Sequence, residues 1–201
     1  MSAFGNILQI SEVNPPASFA GYTKVVQTIM VVAALPATPL AGVTYLIGAQ
    51  STIAISGING NISGIFKIIA DIFNPSTNDS LSLRFNGINT NVYDYRYSQA
   101  GTTTQVAANA QNSILLGVSS GTNSINHLNL DVDGRTGLNR NVGGYMIRGG
   151  ANQLALDANY MVSGNWRDSS TNMVSMTFGY ASISGGFGVG TTIRLEALQV
   201  S

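Results

Sequence analysis

The sequence predicts an all-β protein, an antiparallel β-sandwich of jelly-roll type preceded by an extended N-terminal arm. Short runs rich in β-branched and aromatic residues alternate with turn clusters of Gly, Pro, Asn and Ser. No segment has the capped amphipathic face of a helix, and about ten strands follow without the long crossovers of a parallel sheet. We expect an arm over residues 1–20 and one sandwich domain over residues 21–201.

The arm is apolar but irregular. Its candidate attachment residues are Phe4, Ile7, Leu8 and Ile10, which follow neither helical nor strand spacing. The pair Pro15 and Pro16 ends any regular element. No basic residue precedes the apolar part, so we do not expect a secretory signal, and an arm of this kind is expected to lie against another surface.

The first strands are expected in the most apolar part of the chain, residues 25–48. Gln27, Pro36 and Pro39 interrupt this window, so it predicts core strands rather than a transmembrane helix. STIAIS and GIFKIIADIF predict the next two strands. SLSLRFN follows, and its Leu81, Leu83 and Phe85 alternate with polar residues as in a half-buried strand.

The second half continues in the same way. Strands are predicted in SILLGV, NHLNLDV, YMIRG, QLALDANYMVSGNW and MVSMTFGYASI. NHLNLDV places Leu128, Leu130 and Val132 inward and ends at the turn dipeptide Asp133-Gly134. The one helical alternative is TTQVAANAQNSILL, because it contains Ala and Gln.

The closing GGFGVGTTIRLEAL contains a glycine cluster that invites comparison with a phosphate loop. Such a loop requires a helix after it, and Thr191 stands where the dinucleotide motif has its third glycine. Ile193, Leu195 and Ala197 alternate with polar residues instead. The cluster therefore predicts a turn that leads into a last strand.

Charge is scarce: nine basic and nine acidic residues make up 9% of the chain, against roughly 25% in ordinary soluble proteins. The net charge of zero indicates neither a nucleic-acid nor a membrane partner. A neutral polar surface is poorly protected against association, which favours a protein that works in an assembly. Cysteine is absent, so the chain has neither disulfides nor thiolate metal ligands.

Catalytic and metal motifs are incomplete. Ser119 lies in a G-x-S-x-G pattern, but no acid separates it from the only histidine, His127, so the order of a hydrolase triad fails. Asp131 and Asp133 resemble the start of a calcium loop, but Arg135 occupies a ligand position of the EF-hand. A calcium site of another kind and a plain hairpin turn both stay open there. We expect a protein that is not an enzyme and that has no catalytic residues, metal site or cofactor.

Aromatic residues supply the candidate contact surface. Alternation in NVYDYRYS places Tyr93, Tyr95 and Tyr97 on one face. The opposite face carries Val92, Asp94 and Arg96. The tyrosine row is suited to a sugar or a protein partner, or else covers the core or a neighbouring subunit. Trp166 and Arg167 in SGNWRDSS mark a binding surface if the tryptophan is exposed and a core plug if it is buried.

Four stretches taken together resemble a β-sandwich domain of tailed-bacteriophage virion proteins. They are SGINGNISGIFKIIADIFNP, SLSLRFNGINTNVYDYRY, SGNWRDSSTNMVSMTFGYAS and GFGVGTTIRLEAL. In that group an L-R-F-N-G strand precedes a tyrosine-rich strand, and the domain closes on a G-T-x-I-x-L strand. The resemblance covers residues 51–198 and implies a particle component that is commonly trimeric.

Domains of this group occur in head decorations, head fibres and tail tips. The chain lacks coiled-coil heptads and collagen-like triplets, so we expect a compact capsid decoration or stabilising protein, bound as a homotrimer on the phage particle surface. Its expected partners are sister copies and other virion proteins such as the major capsid protein. The alternative is a tail or fibre module that binds a host polysaccharide receptor through Tyr93, Tyr95, Tyr97 and Trp166.

Overall fold

The computed structural model describes residues 23–74, 79–100, 103, 105–119, 123–150, 156–180 and 186–198. Within these ranges the protein has thirteen β-strands in two sheets and one helical turn, which confirms the predicted all-β fold with little helix. The arm over residues 1–20 lies outside the described residues, together with Phe4, Ile7, Leu8 and Ile10.

The elements in chain order are β1 (Thr23–Val32), β2 (Val43–Ile47), β3 (Thr52–Ser56), α1 (Gly60–Ser63), β4 (Ile65–Asn74), β5 (Asp79–Phe85), β6 (Tyr93–Gln99), β7 (Gln105–Gln111), β8 (Ile114–Ser119), β9 (Ser124–Asp133), β10 (Arg140–Gly149), β11 (Leu156–Trp166), β12 (Ser175–Tyr180) and β13 (Thr192–Leu198). The large sheet has nine strands in the order β2-β1-β13-β4-β9-β10-β11-β6-β7, and the small sheet has four in the order β3-β12-β5-β8. Neighbouring strands are antiparallel except β1 and β2, which are parallel.

The core lies between the two sheets. Leu81, Leu83 and Phe85 of β5 are fully buried, as their alternation predicts. Leu128, Leu130 and Val132 of β9 are buried on the face of the large sheet that we call the inner face, and its other side is the outer face. Because side chains alternate along each strand, every strand of the large sheet contributes to both faces.

The chain crosses repeatedly between the sheets. Eight of the twelve connections between successive strands join the large sheet to the small one, and only the β1–β2, β6–β7, β9–β10 and β10–β11 connections stay within a sheet. Strands that are adjacent in space are therefore often distant in the sequence. The β4–β9 pair, for example, joins Ile65 to Asp133.

The helical alternative for TTQVAANAQNSILL is wrong. The edge strand β7 and then β8 occupy this segment, because pairing with β6 and β5 outweighs the helical propensity of Ala and Gln. The helical turn α1 lies elsewhere, over Gly60–Ser63. Its N-cap is Asn59, whose side chain accepts hydrogen bonds from the backbone of Asn61 (3.1 Å) and Ile62 (3.3 Å).

The glycine cluster forms the predicted turn before the last strand. The backbones of Phe187 and Gln50 exchange two hydrogen bonds of 2.9 Å, which ties the cluster to the segment before β3. Gly190 has φ of 100°, a conformation that side-chain-bearing residues rarely adopt. The chain then enters β13, whose Ile193 and Leu195 are fully buried.

A fully buried charged side chain, that of Arg140, lies in the core. Arg140, at the start of β10, has no exposed surface, and its guanidinium lies 4.3 Å from the centre of the Trp166 ring. Its Nε donates to the carbonyl of Arg135 (3.1 Å), and its two terminal nitrogens donate to the carbonyls of Asp168 (2.6 Å) and Thr171. Burial lowers the pKa of Arg140, but an arginine stays charged at any physiological pH. This cation therefore fastens the loops after β9 and β11 to the core.

Hydrogen bonds to Asp168 stabilise the loop after β11. The Oδ1 atom of Asp168 accepts hydrogen bonds from the backbone and hydroxyl of Ser170 (both 2.9 Å) and from the backbone of Thr171 (3.0 Å). Partial burial raises the pKa of Asp168, but the hydrogen bonds from Thr171 and Ser170 outweigh it and hold that pKa well below its usual range. The loop is thus held in a shape that presents its carbonyls to Arg140.

Replacing Arg140 by methionine tests this role. Arg140→Met removes the donor from three partly buried carbonyls and the cation from the Trp166 ring, and we expect the free energy of unfolding in urea to fall by about 3 kcal/mol. The control is Arg96→Met, at an exposed arginine of β6, where we expect a change within about 0.5 kcal/mol. Equal losses in the two variants would contradict the account.

The pKa of Asp168 predicts a pH dependence. A carboxyl whose pKa is lower in the folded protein contributes stability above its unfolded pKa of about 3.9, and that contribution is lost as the pH falls through the folded value. The wild type should therefore exceed Asp168→Asn in unfolding free energy at pH 6, and the difference should shrink towards pH 2. Urea denaturation of both proteins over this range measures the difference. A constant difference would refute the role of ionisation.

Candidate functional site

The tyrosine row of β6 faces the core. Tyr93, Tyr95 and Tyr97 share one face as predicted, and it is the inner face: Tyr93 is 0% and Tyr97 is 9% exposed. Tyr95 is partly buried, and its ring stacks on Tyr97 with centroids 6.5 Å apart. The burial of Tyr93 and Tyr97 contradicts their predicted contact with a glycan or partner and favours the core interpretation.

Tyr93 and Trp166 belong to one aromatic cluster. The Tyr93 hydroxyl accepts a hydrogen bond from the backbone N–H of Phe85 (3.0 Å) and lies 3.1 Å from the carbonyl of Ile88, to which it can donate. Burial raises the pKa of Tyr93, so this hydroxyl stays protonated. The Phe85 ring lies 5.3 Å from that of Trp166, which is 0% exposed. Trp166 is therefore a core residue and not the predicted contact.

Arg167 is the one member of the predicted set that is exposed. Its guanidinium donates to the carbonyl of Asn91 and has its Nε 3.7 Å from Oδ1 of Asp94. Asp94 lies on β6 opposite the tyrosines, which places it on the outer face. The polar residues around Asp94 therefore become the candidate site.

These residues form a depression of about 300 Å³ on the outer face near the β7 edge, which we call the polar groove. Strand β6 contributes Asp94 and Arg96, and β11 contributes Ser163 and Asn165. The groove is also lined by Asn141 of β10 and by Ala107 and Asn109 of β7. Four strands thus bring amide, hydroxyl, carboxylate and guanidinium groups to one place.

A β-bulge shapes one wall of the groove. Tyr95 pairs with Ala108 while Tyr93 pairs with Gln111, so β7 has an extra residue in this interval. Ala110 has φ of 55°, and its N–H donates to Oδ1 of Asp94 (2.9 Å). The carboxylate of Asp94 therefore holds the bulge, which places Asn109 against the groove.

The structure does not bring Ser119 and His127 together. Ser119 ends β8 in the small sheet, whereas His127 lies on β9 with its Nδ1 atom 2.9 Å from Oδ1 of Asp71. Asp133 is bound by Arg135, whose Nη2 lies 3.0 Å from its Oδ2, which favours the turn over a calcium site. In the described ranges, no three His, Asp or Glu residues are grouped so that they could hold a metal ion.

A second surface feature lies at the opposite edge of the large sheet. Residues 33–47, the edge segment, comprise the loop after β1 and the edge strand β2, and they contain no charged residue. Leu35, Leu40 and Ile47 are 59%, 64% and 58% exposed. The sequence predicted core strands here, but that role belongs to β1, whose Ile29 and Val31 are buried.

Sequence reasoning missed both surfaces. The alternation in NVYDYRYS did place Asp94 and Arg96 together, and their opposition to the tyrosines was the available signal. Their neighbours Asn141 and Asn165 come from strands whose register the sequence does not specify. The edge segment is as apolar as a buried strand, so nothing in its sequence indicated that it would be exposed.

Comparison with known proteins gives no assignment: no family model, no curated protein and no solved structure matches the chain. Among the residues that the structure describes, no helix has the length and apolar character needed to cross a membrane.

The placement of the tyrosines predicts different responses to loss of a hydroxyl. Tyr93→Phe leaves the buried N–H of Phe85 without its acceptor, so we expect the free energy of unfolding to fall by about 1–3 kcal/mol. Tyr95→Phe is the matched control on the same strand and should cost less than about 0.5 kcal/mol because Tyr95 is only partly buried. If urea denaturation showed no difference between the variants, the described role of Tyr93 would be wrong.

Proposed function

We propose that the protein is a bacteriophage virion structural protein, a capsid decoration or stabilising protein that binds as a homotrimer on the particle surface. The observation that carries this proposal is the uncharged edge segment with its exposed Leu35, Leu40 and Ile47. Several exposed apolar side chains on one uncharged segment are typical of a surface that another chain covers. The four stretches that resemble phage virion sandwiches favour a phage particle as the assembly.

The edge strand β2 adds a backbone argument. An edge strand presents unpaired N–H and C=O groups, and natural proteins usually protect such edges with charges, above all lysine. The β2 sequence VTYLI has no charge, and the hydroxyl of Tyr45 is directed to the adjoining loop, where it accepts from the N–H of Leu40 (3.0 Å). An edge of this composition is stable against aggregation only when a partner covers it. Sister copies are the proposed cover.

The scarcity of charge supports the same role. Burying a charged group at an interface costs desolvation free energy, which Asn, Ser and Thr largely avoid. Contacts with sister copies and with the major capsid protein would then add association free energy to the shell. The added free energy is the proposed mechanism, since it opposes the internal pressure of packaged DNA.

We propose further that the two-sheet fold is a sandwich of jelly-roll type. It is supported by the four-stranded small sheet and by the frequent passage of the chain between the sheets. The alternative of a receptor-binding module that uses Tyr93, Tyr95, Tyr97 and Trp166 is not retained, because Tyr93, Tyr97 and Trp166 are buried and Tyr95 is partly buried.

Particles of the phage that encodes the chain provide the direct test. Mass spectrometry and a cryo-EM map of gradient-purified particles should find the protein in trimeric positions on the head. A variant that lacks residues 1–16 should fold but fail to cosediment with the heads. Absence of the protein from the particles would refute the proposal.

Charge introduced at the edge segment should break self-association. We expect the wild type to show the mass of a trimer by light scattering, and the double variant Leu40→Lys/Ile47→Lys to show the mass of one chain. Leu138→Lys is the matched control, because Leu138 is 50% exposed but lies in the loop after β9. A monomeric wild type, or a trimer in the double variant, would contradict the role of this edge.

A further inference from the structure

We propose that the polar groove is a binding site for a neutral oligosaccharide. This goes beyond the virion role and uses the opposite end of the large sheet, since the edge segment lies at β2 and the groove lies at β6 and β7. The two surfaces can therefore be occupied at the same time. The site differs from the aromatic row predicted from the sequence and relies on hydrogen bonding.

The groups that line the groove match sugar hydroxyls, each of which donates and accepts. The carboxamides of Asn109, Asn141 and Asn165 supply donors and acceptors, and the carboxylate of Asp94 accepts from hydroxyls.

The charges in and around the groove favour an uncharged ligand. The lining has one carboxylate, Asp94, and one guanidinium, Arg96, and the exposed Arg167 contacts Asp94 at 3.7 Å. Sites for phosphate use several cations or the N-terminus of a helix, and neither arrangement is present in this lining. An extended peptide would instead pair with the backbone of an edge strand, whereas the groove is lined by side chains of the outer face.

The groove continues into a neighbouring depression, which gives room for a short chain of sugars. A second depression of about 220 Å³ adjoins the groove and shares Arg96 and Ser163 with it. Its lining includes Met161, which is 57% exposed and offers an apolar surface to the C–H face of a sugar. Gly143, opposite Ser163 in the register, has open space where a side chain would lie, so this flank is unobstructed.

The test uses an array of defined oligosaccharides of two to eight residues that covers hexoses, N-acetylhexosamines and uronic acids. The full-length wild type is compared with Asp94→Asn, which keeps the acceptor for the Ala110 N–H, and with Ser163→Tyr, which fills the groove from an exposed position. The control is Asp131→Asn, an exposed carboxylate on the outer face of β9, outside the groove lining. Circular dichroism and urea denaturation verify that each variant is folded.

We expect the wild type to bind at least one neutral oligosaccharide, both groove variants to lose at least tenfold in affinity, and Asp131→Asn to bind like the wild type. Absence of binding to every oligosaccharide, equal binding by all variants, or binding of uronic acids alone would overturn the proposal. The virion role is tested separately, because Leu40→Lys/Ile47→Lys should lose the trimer and keep the sugar site. Failure of one proposal thus leaves the other standing.

Discussion

The arrangement of this protein depends on one buried cation. Arg140 is fully buried, donates to the carbonyls of Arg135, Asp168 and Thr171, and lies over the ring of Trp166. A buried charge is tolerated only when its donors are satisfied, so the loops must keep the shape that presents these carbonyls. The same constraint holds Trp166, and hence the end of β11, beside β6 and the polar groove.

Much of the fold could be predicted because alternation is a local signal. The inward residues of β5, β9 and β13 follow directly from the pleat, and each prediction is confirmed by full burial of residues such as Leu83, Leu130 and Leu195. For β6 the same rule grouped Tyr93, Tyr95 and Tyr97 correctly but could not say which face was buried. Both faces of that strand carry polar atoms, and its neighbour β11 begins far along the chain.

The polar groove and the edge segment could not be predicted from the sequence, for different reasons. The polar groove depends on the register of four strands and on a bulge at Ala110. Long-range strand pairing sets both, and the sequence does not specify it. The exposure of the edge segment follows from the position of β2 at the edge of the sheet, where it pairs on one side only. Exposed and buried apolar strands have similar compositions, so the sequence does not reveal this position. The helical alternative at β7 failed for the related reason that pairing outweighs propensity.

We propose that sister copies cover the uncharged edge segment in the assembly and leave the β7 edge of the large sheet uncovered. Hydrogen–deuterium exchange on the assembled and the dissociated protein measures this directly. The account predicts that peptides from residues 33–47 exchange more slowly in the assembly, whereas peptides from β7 exchange at the same rate in both states. Equal exchange of residues 33–47 in the two states would contradict it.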